Sequence, residues 1–219
     1  MMQSCLLTLR RTVLNIASNG GLTMIYLDMD GVLAKYSYAM YSSDATPRWN
    51  EAGSHAFRDV QRDDFMYLVV EQLAKLLGNN LYVLTSVSNI SVAVRNEQVM
   101  DKMNWLIENY PMLNICNFMS CSTHKRNTIE RIKGFRLTST DILIDDYNPN
   151  LYAWREAGGT AIKYINTINS VGFWPGPHIG TVEGDWVINP ECKQVEAAVK
   201  EAVDAILDVW YKAGGKHAK

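Results

Sequence analysis

Apolar and polar positions fall into blocks along this chain, and the period of the pattern changes from block to block. Short apolar runs recur at Ile25–Leu27, Leu81–Leu84, Asn114–Met119, Asp141–Asp145 and Thr160–Ile165. Their length and composition are those of strands buried on both faces. Between them the spacing turns helical. From Asp63 to Leu77 the positions Phe65, Leu68, Val69, Leu73, Leu76 and Leu77 recur at helical intervals, and Gly78 follows as a stop. Residues 93–109 repeat this through Val94, Val99, Met103, Leu106 and Ile107, ahead of Pro111. Ser122–Arg131 predicts a short helix with Lys125 at its start, and Tyr147–Gly159 one opened by Asn148 and Pro149 and stopped by Gly158 and Gly159. A last helix, Pro190–Tyr211, is capped by Asn189 and turns Val195, Val199, Ala202, Val203, Ile206 and Trp210 inward.

Strand and helix in alternation predict an α/β fold, a parallel sheet with helices on both faces. Two segments depart from the rhythm. Lys35–Arg62 is rich in Tyr, Ser, Gly and single aromatics, including Trp49, His55 and Phe57, without sustained periodicity. Long irregular segments inside compact domains are often lids, so this one is expected to cover the loop it follows. Asn166–Asn189, rich in Gly, Pro and Trp, reads as an ordered loop or a small hairpin.

The ends of the strands carry the chemistry. The first run stops at Asp28 and Asp30, with Gly31 after them. Ligands of open α/β sheets sit beyond the carboxyl ends of the strands. Two carboxylates this close repel each other unless they share a cation, and a divalent metal is the natural one. Asp-x-Asp-Gly is also ordinary turn chemistry, so the other strand ends have to decide. The second strand ends in Thr85, Ser86 and Ser88, hydroxyls that suit an oxyanion or a helix cap. The fourth ends in Asp145 and Asp146.

Composition narrows the choice. At 219 residues, 47% hydrophobic and 20% charged, the chain suits one soluble domain with an insertion or small cap. A net charge of -2 and a pI near 6.1 argue against a nucleic-acid-coating surface. The four cysteines, Cys5, Cys116, Cys121 and Cys192, form no regular framework, which favours reduced thiols in the cytoplasm. Cys116, Cys121 and His124 offer only three of the ligands a closed zinc site requires. No run approaches the roughly 20 apolar residues of a membrane span. Residues 1–23 contain Arg10 and Arg11 but no acid, and read first as a disordered, non-native or alternative-start extension, with a transit peptide and a short native arm as the competing readings.

Taken in chain order, Asp28-x-Asp30, Thr85, Lys125 and Asp145-Asp146 resemble motifs I to IV of the haloacid dehalogenase (HAD) superfamily. The stretches HAFRDVQRDDF, VLTSVSN and DILIDDYNPNLYAWREAGG further resemble the 5'(3')-deoxyribonucleotidases and their bacterial and phage relatives, over about Met24 to Trp174. The resemblance implies a HAD-like three-layer α/β/α domain over 24–219, strand order 5-4-1-2-3, and a small cap over about 35–62. It implies Asp28 as nucleophile, forming an aspartyl-phosphate, and Asp30 as acid and base. Mg2+ would be held by Asp28, the backbone carbonyl of Asp30 and Asp146, with Asp145 behind them orienting Lys125 or a water. Thr85 and Lys125 would hold the phosphoryl oxygens, with Ser86 as a further contact. The gap to Asp145 leaves Lys133 as a rival for the lysine position. Tyr36, Trp49 and Phe57 are the candidate base or sugar pocket.

The expected function is therefore Mg2+-dependent hydrolysis of a small phosphomonoester, a nucleoside monophosphate and first of all a deoxyribonucleotide. A phosphosugar, a nucleic-acid 3'-phosphate, or a catalytically silent phosphate-binding domain are the alternatives. Neither stable nucleic-acid binding nor a membrane is expected, and a homodimer is what relatives suggest.

Overall fold

The computed structural model describes residues 22–36, 57–58, 60–89, 91–166, 169, 172–180 and 193–216. Most of the extension, most of the cap segment with Trp49, and the helix start at Asn189 and Pro190 lie outside these residues. Six strands form one parallel sheet: β1 (Met24–Leu27), β2 (Leu81–Ser86), β3 (Phe118–Cys121), β4 (Asp141–Asp145), β5 (Thr160–Ile165) and β6 (His178–Gly180). The helices are α1 (Asp64–Leu77), α2 (Val92–Asn109), α3 (Lys125–Lys133), α4 (Asn148–Glu156) and α5 (Lys193–Lys212).

Side chains alternate across each strand, so the sheet builds two cores. Ile25, Leu27, Leu81, Val83, Ile142, Ile144, Ile162 and Tyr164 face one side, where α1 and α5 bring Val69, Leu73, Val199, Ile206 and Trp210. Met24, Tyr26, Tyr82, Leu84, Leu143 and Ala161 face the other, against Ile129 of α3 and Leu151 and Trp154 of α4. With both faces covered the strands read as unbroken apolar runs, as the sequence does. Asp63 caps α1 by accepting from the Met66 amide at 2.8 Å, and its other oxygen accepts from the Tyr164 hydroxyl at 3.0 Å.

The strand order is β3-β2-β1-β4-β5-β6. This keeps the expected 5-4-1-2-3 arrangement and extends it by a sixth strand. His178–Gly180 pairs in parallel with β5, so Asn166–Asn189 includes an edge strand instead of only a loop or hairpin. At three residues, β6 is too short to show a period in sequence. The third strand is also displaced from Asn114–Met119. Asn114 caps a 3-10 turn at Ile115–Asn117 by accepting from the Cys116 amide, and the extended run begins only at Phe118. Among the described cysteines, Cys121 is free and buried.

The chain leaves and re-enters the core at one place. Ala34 bridges to both Asp30 and Arg62, and the amides of Lys35 and Asp63 donate to Gln61 and Leu33 carbonyls at 2.8 Å. The segment predicted as a cap therefore starts and ends beside the acidic loop.

Candidate active site

The acids converge because β1 and β4 are neighbours. Leu27 lies opposite Ile144, and the Asp28 amide donates to the Ile144 carbonyl at 2.9 Å, so Asp28 and Asp145 leave the sheet side by side. Asp28, Asp145 and Asp146 bring carboxylate oxygens within 4.8 Å of one another, all three buried. Gly31, at φ +84°, allows the loop to close on them. A Cβ there would strike Asp146 Oδ2 and Asn169 Nδ2, and the Gly31 carbonyl accepts from Asn166 Nδ2.

Lys125, at the first position of α3, reaches back to the strand ends. Its ammonium lies 2.6 Å from Asp28 Oδ1 and 2.6 Å from Asp145 Oδ2. Lys133 points elsewhere, to both oxygens of Asp141 at 2.6 and 2.5 Å, at the start of β4 and the opposite end of the sheet. Of the two rival lysines, Lys125 is the one placed at the acids. Asp145 is fully engaged: its Oδ1 accepts from the Tyr147 amide at 2.8 Å, and its Oδ2 from Asn150 at 3.0 Å besides Lys125.

Sequence reasoning missed Lys102. From α2 its ammonium donates to Asp30 Oδ1 and Oδ2 at 2.7 and 2.8 Å, to Thr85 Oγ1 at 2.8 Å and to the Ser86 carbonyl at 2.9 Å. The Asp30 side chain is thus turned to a lysine and stands outside the group formed by Asp28, Asp145 and Asp146. Thr85 stands at the expected strand end, with its hydroxyl shared by Lys102. Ser86 Oγ lies 3.7 Å from Cys121 Sγ.

The reading of α2 from apolar spacing explains the miss. Ile107 is 53% exposed, whereas Gln98, Asp101, Lys102, Trp105 and Leu106 are buried. The packed face carries a Gln98, Asp101/Lys102, Trp105 stripe at three- and four-residue spacing. That mixed polar and aromatic stripe was the available signal.

Tyr36 and Phe57 do not form a lid surface. They are 2% and 4% exposed, stack on each other at 5.7 Å, and Phe57 meets Trp105 edge-on at 5.4 Å. Both belong to the core; Trp49 lies outside the described residues. Cys116, Cys121 and His124 form no metal-holding group among the described residues.

Charge shows what the acids are arranged for. Burial drives the Asp28 carboxyl well above its ordinary range; Lys125 opposes this, while Asp145, Asp30 and Asp146 add to it. Asp146 is pushed up to about 7, by burial first and Asp145 second, with the Asn166 and Asn169 amides pulling back. Burial alone would lower the Lys125 ammonium, but Asp145 and Asp28 outweigh it and hold the group charged. Four carboxylates, Asp28, Asp30, Asp145 and Asp146, are met by two ammonium groups, Lys102 and Lys125. Acids outnumber the ammonium groups that touch them, and an all-oxygen donor set rich in carboxylates fits Mg2+ and suits softer metals less.

No protein-family model and no curated protein matches the chain. Among solved structures, D,D-heptose 1.7-bisphosphate phosphatase from B. bronchiseptica, complexed with magnesium and phosphate, aligns at 13% identity and TM-score 0.49, over 84% of this chain and 99% of that one. A HAD family hydrolase from Deinococcus radiodurans R1, with bound phosphate and sodium, aligns at 12% identity and TM-score 0.44, over 69% and 85%. A HAD-superfamily hydrolase from Ehrlichia chaffeensis aligns at 14% and 0.40, over 68% and 90%. With every score below 0.5 these are likenesses only, and the functional reading rests on the site itself. No helix among the described residues is long and apolar enough to cross a membrane.

Proposed function

We propose that this protein is a Mg2+-dependent phosphomonoesterase of the HAD type, working through Asp28, with nucleoside monophosphates as substrates and deoxyribonucleotides foremost. The observation that carries the reading is the buried group of Asp28, Asp145 and Asp146 with Lys125 between the first two, at the carboxyl ends of adjacent central strands. Phosphoryl transfer asks a protein for positioning and charge neutralisation, and both are present.

In the first step an oxygen of Asp28 bonds to phosphorus as the bond from phosphorus to the ester oxygen breaks. The leaving oxygen takes its proton from Asp30. In the second, water adds to phosphorus and gives a proton to Asp30, and the bond from phosphorus to Asp28 breaks with its electron pair returning to the carboxylate. Lys125 keeps the attacking carboxylate directed out of the sheet and meets a phosphoryl oxygen. Thr85 offers its hydroxyl to another. Asp145 holds Lys125 in place. Mg2+, held by Asp28, Asp146 and the Asp30 carbonyl, would neutralise charge on the phosphoryl oxygens.

Support for a nucleotide comes from the resembling stretches and from exposed rings beside the site. Tyr147, next in chain to Asp146, is 49% exposed and Phe173 is 83% exposed, and Asn148 Nδ2 donates to the Phe173 carbonyl at 3.2 Å. Such rings can stack on a base. The test is phosphate release from nucleoside monophosphates and phosphosugars, with and without Mg2+, beside Asp28→Asn. Mg2+-dependent release from deoxynucleotides that the substitution abolishes is the expected result. Release from phosphosugars alone would discard the substrate and keep the chemistry; no release by folded protein would leave a silent phosphate-binding domain.

A further inference from the structure

We infer that Lys102 is the residue that positions Asp30 for its two proton transfers, an inference that rests on the phosphatase reading above. An ammonium has three N–H bonds, and here all are committed: one to the Asp30 carboxylate, one to the Thr85 hydroxyl and one to the Ser86 carbonyl. Lys102 is 2% exposed. The Phe57 ring lies 4.7 Å from the ammonium and closes a further side.

This is more than is needed to bury a helix. A buried ion pair often does no more than break even for stability against an apolar replacement. What it does is fix a side chain. Because Lys102 holds both oxygens of Asp30, the carboxyl cannot turn back toward Asp28, from which it would be repelled. The two acids of the first loop are thus drawn apart by two lysines from different helices, Asp28 by Lys125 of α3 and Asp30 by Lys102 of α2. One acid is set to attack phosphorus and the other to meet the leaving oxygen.

The mount for Lys102 is itself braced. One turn earlier on the same face, Gln98 Oε1 accepts from the Ser88 amide at 2.7 Å, tying α2 to the loop after β2. One turn later, the Trp105 indole donates to the Val60 carbonyl at 2.7 Å, and beside Lys102 the Asp101 carboxylate pairs with Arg58 at 3.2 Å. Strand end, helix and returning cap segment all meet at this lysine.

The experiment compares two esters with Lys102→Met, Lys102→Arg and wild type, in the presence of Mg2+. p-Nitrophenyl phosphate has a leaving group that needs no proton; thymidine 5'-monophosphate has one that does. If Lys102 positions Asp30, Lys102→Met gives a burst of nitrophenolate equal to the enzyme present, then slow turnover, because the first step survives and the second does not. On thymidine 5'-monophosphate it shows no burst, and kcat falls about 100-fold or more, the usual worth of positioned acid–base catalysis, with a smaller change in KM. Asp30→Asn shows the same split. Lys102→Arg keeps the charge and the fold but not the three-way donor geometry, so it shifts the ratio of the two rates in the same direction by less, and it carries the test if the methionine variant does not fold. Equal losses on both esters without a burst, or no loss, overturn the inference while leaving the phosphatase reading intact. A wild-type protein inactive on both esters and on the substrate panel overturns both.

Discussion

Replacing Asp146 with asparagine should stabilise the metal-free protein while abolishing its response to Mg2+. Asp146 is 1% exposed, and the hydrogen bonds it accepts come from neutral amides, one of them Asn166 Nδ2 at 3.2 Å from Oδ2, with the Lys125 charge only a lesser influence. Burial and then Asp145 raise its carboxyl from 3.8 to about 7. Below about pH 4 the group is protonated in folded and unfolded chains alike and makes no difference. Between about 4 and 7 the folded state keeps a proton that the unfolded state has lost, so metal-free stability falls as pH rises. Above about 7 the full penalty applies, on the order of 4 kcal/mol at about 1.4 kcal/mol per unit. Asparagine keeps the shape and one acceptor oxygen but must place an NH2 among acids, so a net gain of about 2 kcal/mol is the expectation, or about 4–8 °C in Tm for a chain of this length. Calorimetric melts of both proteins at about pH 5 and pH 8, in EDTA and in Mg2+, measure this. Wild type should melt lower than the variant only at the higher pH in EDTA, and Mg2+ should raise wild type alone. Equal melting in EDTA at about pH 8, or equal stabilisation of both by Mg2+, would refute the assignment of Asp146 as a buried carboxylate kept for a metal.

The other expectations follow from the same geometry. Lys125→Met leaves Asp28 and Asp145 buried without their counter-charge, and should cost about 3–5 kcal/mol in urea unfolding together with inorganic-phosphate binding measured by calorimetry. Lys133→Met breaks the pair with Asp141 at the far end of β4, so it should lower stability on a similar scale yet leave phosphate affinity of the folded protein unchanged. If Asp28 accepts the phosphoryl group as proposed, wild type quenched with labelled substrate should yield a phosphoprotein and Asp28→Asn none. Phe57→Ala should lower stability by about 3–5 kcal/mol, as for other buried aromatics, without changing which base is preferred; a changed preference would return the ring to the substrate pocket.

Much of the framework was legible in the chain. The runs ending at Asp28, Thr85 and Asp145 were readable because strands buried on both faces are continuously apolar, and because a carboxylate at such an end stands out against them. Helix limits were readable where a cap was local, as with Asp63 and Gly78 around α1. Short or irregular elements were not. β6 is held by its pairing to β5 and by nothing in its own three residues, and the start of β3 was shifted by a side-chain cap on a 3-10 turn.

Periodicity and local capping act between residues close in the chain, so the α/β class, the parallel sheet, and the strand ends that carry Asp28, Asp30, Thr85, Asp145 and Asp146 could be read before any fold was known. It took the folded chain to separate Lys125 from Lys133, to bring Lys102 across 72 positions to Asp30, and to bury Tyr36 and Phe57, the candidate pocket rings, in the core. Those outcomes depend on which strands are neighbours and which helix face is covered. A lone lysine or aromatic carries no mark of its partner until packing removes it from water and makes an unpaired charge or an exposed ring costly.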